Sequence, residues 1–589
     1  MRNKVHQLSS FKKWIMIIPL FCSLIACAQI DYETIDKIIM GEMAKRNITG
    51  ASLSIVDSSG IIFSKGYGFA DKEKNIVMSS QTVYPFGSIT KLITSASILK
   101  LQDLNMLNID SPFVKYVPEF QIGQHFREKK YFTIADLLMH QAGIPRTRLK
   151  DLYTDFAQPT DFYKIIEEEK DDYLIAPPAE VYQYSDIGMT MLGVLPFRIA
   201  QDHYVDFVTK EIFKPLGMIN ASFNKDSVKY NYTKGYQNGV ETKIFVTRFL
   251  PAFGIQASVE DLTKFIYMFL NQGKSIEDIQ ILSSESVLRS IKQQNQATQL
   301  IFSNKMGLGW MQDSYLGYQS AYHGGEQKPC LSMVRILPDL KIGIVLAINS
   351  NMDRDFISSI IEKVLIEILK EKGIPYSLNN KDSNKTILLK NLHNDLINSY
   401  VGDYATSYGI VNISQSKNKI KVNLVSLNKI FSTKIMADST LQLYYKILGI
   451  IPVKVMHLFV ANVGGRKIIG RILSNGRMIN GGTEMRFSFP STKWDSISGK
   501  YCISNLNDKE YLLQKEIVVS EYKGIKVFTG EGEIPDVEKF QFSIQPLNDS
   551  LAIVQGIGGQ GLLGETIKRR RINEEEIVEV CGYIFKKDK

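Results

Sequence analysis

The chain has 589 residues, 44% of them hydrophobic, which is too long for one ordinary core and apolar enough to fill two or three. Its formal charge is +9, but four of those positives, Arg2, Lys4, Lys12 and Lys13, lie near the N-terminus and leave +5 on the rest. So small an excess over such a length implies no polyanionic partner and excludes nucleic-acid binding as the reading of the whole chain.

The N-terminal cations are followed by an apolar run, Trp14 to Ile25, and no acidic residue precedes Asp31. That order predicts a secretory signal over residues 1–28. Leu24-Ile25-Ala26-Cys27 resembles the lipobox of bacterial lipoproteins, with Cys27 the lipidated residue. Ala26-Cys27-Ala28 before Gln29 fits an ordinary cleavage site instead. Both cuts export the protein, to the periplasm or cell envelope, and the favoured lipobox reading tethers it to the membrane at Cys27. The apolar run is shorter than the ~20 residues of a spanning helix. A second apolar stretch, Leu441 to Val463, is interrupted by Lys446, Pro452, Lys454 and His457, so no further span is expected.

Tyr32 to Arg46 has apolar residues at helical spacing, and Gly50 ends it. Ala51 to Val56 and Ile61 to Gly68 alternate as two strands around the turn Asp57-Ser58-Ser59-Gly60. Mostly helical segments follow, among them Ile89 to Leu104 and a helix opened by the capping box Ser258-Val-Glu-Asp261. Leu331 to Leu337 and Ile342 to Ile348 form a second hairpin around Pro338-Asp339, and Ile357, Ile360, Ile361, Val364, Leu365, Ile368 and Leu369 mark one face of a closing helix. One antiparallel sheet built from both ends of the domain, with flanking terminal helices and a large helical insertion, is the expected result.

This first domain is assigned to residues 29–376. A polar stretch follows at 377–396, as in a linker. Residues 397–589 read as all-β from short alternating segments such as Ile410 to Ile413, Ile420 to Leu424 and Ile517 to Val519. Tyr400-Val-Gly-Asp-Tyr404 and Ile497-Ser-Gly-Lys-Tyr501 each open a β-rich block, which leaves two repeats or a lipocalin-like barrel as alternatives. The basic run Lys568 to Arg571 is answered by Glu574, Glu575 and Glu576, as in a solvated hairpin. Cys330, Cys502 and Cys581 lack metal-ligand spacing; a Cys502–Cys581 disulfide and three free thiols both remain open.

In Tyr84-Pro-Phe-Gly-Ser88-Ile-Thr-Lys91 a serine stands at the start of a helical run, with a lysine on the same face. A serine hydroxyl becomes a nucleophile when a base takes its proton, and a helix N-terminus steadies the negative charge that develops. The spacing alone is weak, because Ser10/Lys13, Ser414/Lys417, Ser426/Lys429 and Ser520/Lys523 share it. Two other stretches set Ser88 apart: Tyr182-Gln-Tyr184-Ser185-Asp186 offers a phenol, and Ala321-Tyr-His323-Gly324-Gly325 offers an imidazole and glycines before a strand.

In this combination and order the chain resembles the β-lactamase-related serine hydrolases: class C β-lactamases, D-alanyl-D-alanine carboxypeptidases and related esterases. His140-Gln-Ala-Gly-Ile-Pro145, Gly307-Leu-Gly-Trp310 and Ser258 to Phe265 add to the likeness, which spans about Tyr32 to Gly373. The resemblance implies the α/β (α+β) sandwich of penicillin-recognising enzymes, ahead of the all-β second domain. It also implies Ser88 as nucleophile, Lys91 as base or proton shuttle, and Tyr184 as the acid/base partner of the leaving group. The backbone N–H groups of Ser88 and Glu326, which follows Gly324 and Gly325, would form the oxyanion hole.

Two departures concern substrate. Asp186 replaces the asparagine of Y-x-N, and an ionised aspartate accepts hydrogen bonds without donating them. His323 stands in place of the lysine of K-T-G, and a neutral imidazole grips a carboxylate less firmly. Both sit in the expected substrate-binding set with Gly324, Gly325 and Glu326. His140 reads as a structural hydrogen-bonding residue, Trp310 as core or pocket lining, and Cys330 as a small core filler. The expectation is therefore acyl transfer on Ser88 from an ester or peptide acyl donor, a small-molecule or peptide substrate, without metal or organic cofactor. A D-alanyl-D-alanine peptidase of cell-wall stems and a non-catalytic binding protein on the same fold are the alternatives; no protein partner of the second domain is indicated.

Overall fold

The computed structural model describes residues 32–126, 128–153, 161–298, 304–378, 396–416, 419–447, 451–463, 465–473, 478–487, 493–506, 516–534, 537–557, 562–572 and 575–588. The expected signal with Cys27, and nearly all of the expected linker, lie outside these residues.

Tyr32–Arg46 forms helix α1 and buries Ile35 and Ile39, as their spacing predicts. Strands β1 (Gly50–Asp57) and β2 (Gly60–Asp71) make the expected hairpin. The other strands are β3 (Ile76–Val77), β4 (Lys305–Met306), β5 (Met311–Tyr315), β6 (Tyr318–Gln327), β7 (Cys330–Leu337) and β8 (Ile342–Ile348). They form one eight-stranded sheet in the order β3-β2-β1-β8-β7-β6-β5-β4. Its seam is the antiparallel pairing of β1 with β8, where Leu53 stands opposite Leu346, so the sheet exists only when the two ends of the domain meet.

Alternation along the strands divides the sheet into two faces. Leu53, Ile55, Ile344, Leu346 and Ile348 pack with α1 and with Ile357, Ile361, Val364 and Leu365 of the closing helix, Arg354–Glu371. Val56, Val334, Ile336, Val345 and Ala347 face the helical insertion, where Leu262, Phe265 and Ile266 of the helix Val259–Leu270 meet them. That helix starts on the expected capping box, Ser258 with Asp261.

Residues beyond the linker form two closed barrels of eight antiparallel strands, Gly402–Glu484 and Gly499–Lys587. Closure leaves no open sheet edge. The two short sequence echoes occupy equivalent places: the Tyr404 hydroxyl donates to the Tyr400 carbonyl at 2.9 Å, and that of Tyr501 to the Ile497 carbonyl at 2.9 Å. The stretch from Leu441 to Val463 is a hairpin of the first barrel, Leu441–Ile447 with Ile451–Val463. No described helix is long and apolar enough to cross a membrane. Cys330, Cys502 and Cys581 are all free.

The barrels pack on the first domain. Ile175, Ala176 and Val181 share an apolar cluster with Phe459, Ala461 and Ile468 of the first barrel and Ile557 of the second. The basic hairpin is only partly solvated: Arg569 pairs with Glu576, but Lys568 is buried and reaches Asp172 of the first domain at 2.8 Å. Sequence alone gives no sign of that partner, because it lies far away along the chain.

Because each corner tyrosine is fully buried, Tyr404→Phe and Tyr501→Phe are each expected to cost about 1 kcal/mol of stability, read from denaturant midpoints.

Candidate active site

Backbone geometry first fixes where the serine can stand. Gly87 has φ +52°, and a Cβ there would lie 2.4 Å from the Glu326 carbonyl oxygen, so the close approach of β6 to this turn requires glycine. A one-turn 3₁₀ segment, Gly87–Ile89, then leads into the helix Thr90–Asp103. The Thr90 hydroxyl donates to the Gly87 carbonyl at 2.6 Å and accepts the Ile255 N–H at 3.0 Å, tying the turn to the segment that carries Ala252 and Phe253.

Ser88 and Lys91 therefore project together, as their spacing predicts. Lys91 is fully buried, and its Nζ has three oxygen neighbours: Ser88 Oγ at 3.2 Å, the Ala252 carbonyl at 3.0 Å and Asp186 Oδ1 at 2.8 Å. The rings of Phe253 and Tyr184 flank the same nitrogen, with centroids 4.3 and 4.9 Å away. Ser88 and Ala252 accept hydrogen bonds from the ammonium group, Asp186 answers its charge as an ion pair, and the aromatic faces favour the same charge.

Asp186 opens the helix Asp186–Leu192, with Ser185 as N-cap. The Ser185 hydroxyl accepts the Gly188 N–H at 2.9 Å and donates to the Pro145 carbonyl at 2.6 Å, while the Ser185 N–H donates to His140 Nδ1 at 3.2 Å. His140 thus sits in the structural position expected of it. Burial, reinforced by the Lys91 charge, holds this imidazole well below its usual range and hence neutral. Asp186 Oδ2 accepts the Thr147 hydroxyl at 2.5 Å, and the Asp186 N–H donates to the Arg146 carbonyl at 2.7 Å.

Tyr184 joins the site through its ring, 4.4 Å from the His140 ring and 6.3 Å from that of His323. Among the described residues its hydroxyl has no hydrogen bond to Ser88 or Lys91. On β6, His323 Nδ1 is 2.7 Å from the Gly324 carbonyl and donates to it in the neutral tautomer that this contact selects. Nε2 is then a buried acceptor with no partner among the described residues. Burial and then the Lys91 charge push His323 down to about 3. A Cβ on Gly325 would come within 2.0 Å of the Phe86 carbonyl oxygen, so β6 runs against the residues just before Ser88. The Glu326 side chain turns away to Arg354, at 3.1 Å.

The two rival serine–lysine spacings within the described residues form no such site: Lys523 pairs with Asp403, and Lys429 lies over the ring of Tyr445; Ser10, Lys13 and Lys417 lie outside the described residues. Trp310 packs on Phe269, and Cys330 is buried with its thiol pushed up by burial. Among the described residues no cluster of histidine, cysteine and carboxylate side chains could hold a metal ion.

Sequence reasoning missed three participants and one contact of a fourth residue. Ala252 and Phe253 act through a carbonyl and a ring face, which leave no motif. Asp186 was expected in the substrate-binding set, and its pairing with Lys91 was not foreseen. The third participant, Glu565 of the second barrel, is buried and accepts the Arg146 N–H at 3.2 Å, bracing the loop whose Thr147 bonds Asp186.

The sequence matches the Beta-lactamase family over residues 35–361, more than half of the chain. The chain belongs to the Beta-lactamase family. Similar to this family member are Protein flp of Staphylococcus aureus (strain N315), 26% identical over 351 residues covering 58% of the chain and 67% of that protein, and Beta-lactamase-like protein 2 of Dictyostelium discoideum, 30% identical over 261 residues covering 42% and 47%. Two solved structures share the fold. The octameric penicillin-binding protein homologue from Pyrococcus abyssi has a TM-score of 0.50 at 20% identity, covering 76% of this chain and 99% of its own. SurE, solved with D-Leu, has a TM-score of 0.55 at 16% identity, covering 78% and 100%. The penicillin-recognising sandwich expected from the motifs is thus the fold of this Beta-lactamase family chain.

A neutral His323 gives a direct test within this family site. Because its cation is confined below about pH 3, the ring resonances of His323, identified by loss in His323→Asn, are expected to stay flat between about pH 5 and 8, where a free imidazole titrates. An inflection near pH 6.5 would contradict the buried, neutral assignment.

Proposed function

We propose that the chain is a serine hydrolase that passes an acyl group through Ser88, taken from an ester or peptide donor, in the cell envelope to which its signal and the lipid at Cys27 direct it. The observation that carries this reading is a fully buried amine within 3.2 Å of the Ser88 hydroxyl.

In the resting site Lys91 donates to Ser88 and to the Ala252 carbonyl and pairs in charge with Asp186, so it must lose a proton before it can take one from Ser88. Asp186 Oδ1, at 2.8 Å, is the acceptor within reach. With that proton on the carboxylate, the free amine takes the Ser88 proton while Oγ bonds to the substrate carbonyl carbon and the carbonyl electron pair moves onto oxygen. The N–H groups of Ser88 and Glu326 receive that oxyanion. Collapse breaks the bond to the leaving group, which takes its proton from Tyr184, and Tyr184 is reprotonated from Lys91. Water then repeats the sequence on the acyl-enzyme, releasing the acid and restoring Ser88.

The unionised His323 supports an acyl donor that does not depend on a carboxylate grip, and disfavours efficient β-lactam turnover. A D-alanyl-D-alanine peptidase is the nearer second reading, supported by Ser88 beside Lys91 with the Tyr184 ring over the same nitrogen.

The test is a panel of p-nitrophenyl ester, D-alanyl-D-alanine peptide, nitrocefin and fluorophosphonate, read by mass spectrometry for an adduct on Ser88. An adduct and turnover are expected with an ester or peptide, and Ser88→Ala is expected to abolish labelling and lower turnover by about 10³-fold or more. Release of D-alanine would select the peptidase reading, nitrocefin turnover like that of a dedicated β-lactamase would contradict the role given to His323, and no adduct with any probe would leave a binding protein on this fold.

A further inference from the structure

The modest overall charge conceals an uneven distribution. The first barrel, residues 402–484, carries eleven lysines and arginines against three acidic residues, Asp403, Asp438 and Glu484, whereas the second, residues 499–587, carries twelve against fourteen. Asp403 is engaged by Tyr522 and Lys523 of the second barrel, and Glu484 by Lys467.

At one end of the first barrel the strand Lys429–Ile435 begins and the hairpin Leu441–Ile447/Ile451–Val463 turns. There Tyr445 stands opposite Val453, and Ile447 opposite Ile451. The rings of Phe431 and Tyr445, 6.1 Å apart, join the strand start to the hairpin. Leu427, Ile430, Tyr445, Ile451, Val453 and Val455 are 39–61% exposed. Every residue from Ile451 to Val455 is exposed, so both faces of the strand stand clear of the barrel wall. A strand covering a core on one side would bury alternate residues. In the second barrel, by contrast, only Val518 and Ile572 are exposed large hydrophobics among the described residues.

The cations lie at the same end. Lys429, Lys446 and Lys454 are exposed, and among the described residues none of the three has an acidic partner. Asp438 lies at the opposite end of these strands, in the turn between Ile435 and Leu441.

We propose that this end of the first barrel is a membrane-docking surface. The apolar strand ends that form this tip, with Tyr445, Ile451, Val453 and Val455, enter the boundary between headgroups and acyl chains, and Lys429, Lys446 and Lys454 meet anionic headgroups. Apolar side chains, an interfacial tyrosine and unanswered lysines together are what such a boundary accommodates. Two copies joined through this tip would instead bring lysine against lysine. Neither the hydrolase reading nor the lipid at Cys27 is needed for the docking; where the lipid is present, the tip supplies the second of the two signals that stable anchoring takes.

The test is flotation of the chain from Gln29 onward, which carries neither the expected signal nor Cys27, with vesicles of phosphatidylcholine alone or with about 30% phosphatidylglycerol. Binding is expected to the anionic vesicles, falling as salt rises. Lys446→Glu with Lys454→Glu is expected to weaken it by about 30-fold or more, and Ile451→Asp with Val453→Asp to abolish it, both pairs keeping the parent's melting temperature. Absence of binding to anionic vesicles, or binding that both pairs leave intact, would overturn the proposal. So would a dimer broken by Ile451→Asp with Val453→Asp in a protein that ignores vesicles, which would assign the tip to contact between copies.

Discussion

A fully buried ammonium group must be answered by acceptors or the chain cannot keep it, and Lys91 sets that condition for the whole first domain. Its three oxygens come from three separate places: the turn at Ser88, the carbonyl of Ala252 and the helix start at Asp186. The insertion must fold so that these segments converge. The same requirement brings the Ser88 hydroxyl to the amine, so the chemistry proposed for the site draws on the contacts that hold it together.

The supports of Asp186 extend into the C-terminal half. The segment from Asp172 to Asp186 is fastened by Lys568 to Asp172, by the Tyr173 N–H donating to Thr566 Oγ1 at 2.9 Å, and by the apolar cluster around Ile175 and Val181. Glu565 braces the adjoining loop at Arg146. Burial, with the neighbouring Asp172 charge, pushes the Glu565 carboxyl up to about 8, so it is chiefly protonated at neutral pH and adds no anion close to Asp186. The barrels are thus part of the frame that positions the site, beyond any task of their own.

The fold of the first domain was largely legible because its sheet and terminal helices are written as local periodicity: Leu53 and Ile55 alternate, and Ile357 to Leu369 mark one helix face. Ser88, Lys91, Tyr184 and His323 were legible as short motifs in a recognisable order. What was not legible depends on distance along the chain. Nothing near Asp186 announces that it pairs with Lys91, and nothing near Glu565 or Lys568 names the loops they hold. The barrels were visible only as strand density, because closure is a pairing of first strand with last, Tyr404 with Glu484 and Tyr501 with Lys587.

A double-mutant cycle on Lys91 and Asp186 measures the central interaction most directly. Lys91→Met strands a buried carboxylate and Asp186→Asn strands a buried ammonium, so each alone is expected to destabilise the fold, while the pair together relieves both. A coupling energy of about 2–3 kcal/mol is the expected result. Single-variant losses that simply add, to within about 0.5 kcal/mol, would contradict the ion pair as the constraint that organises the site.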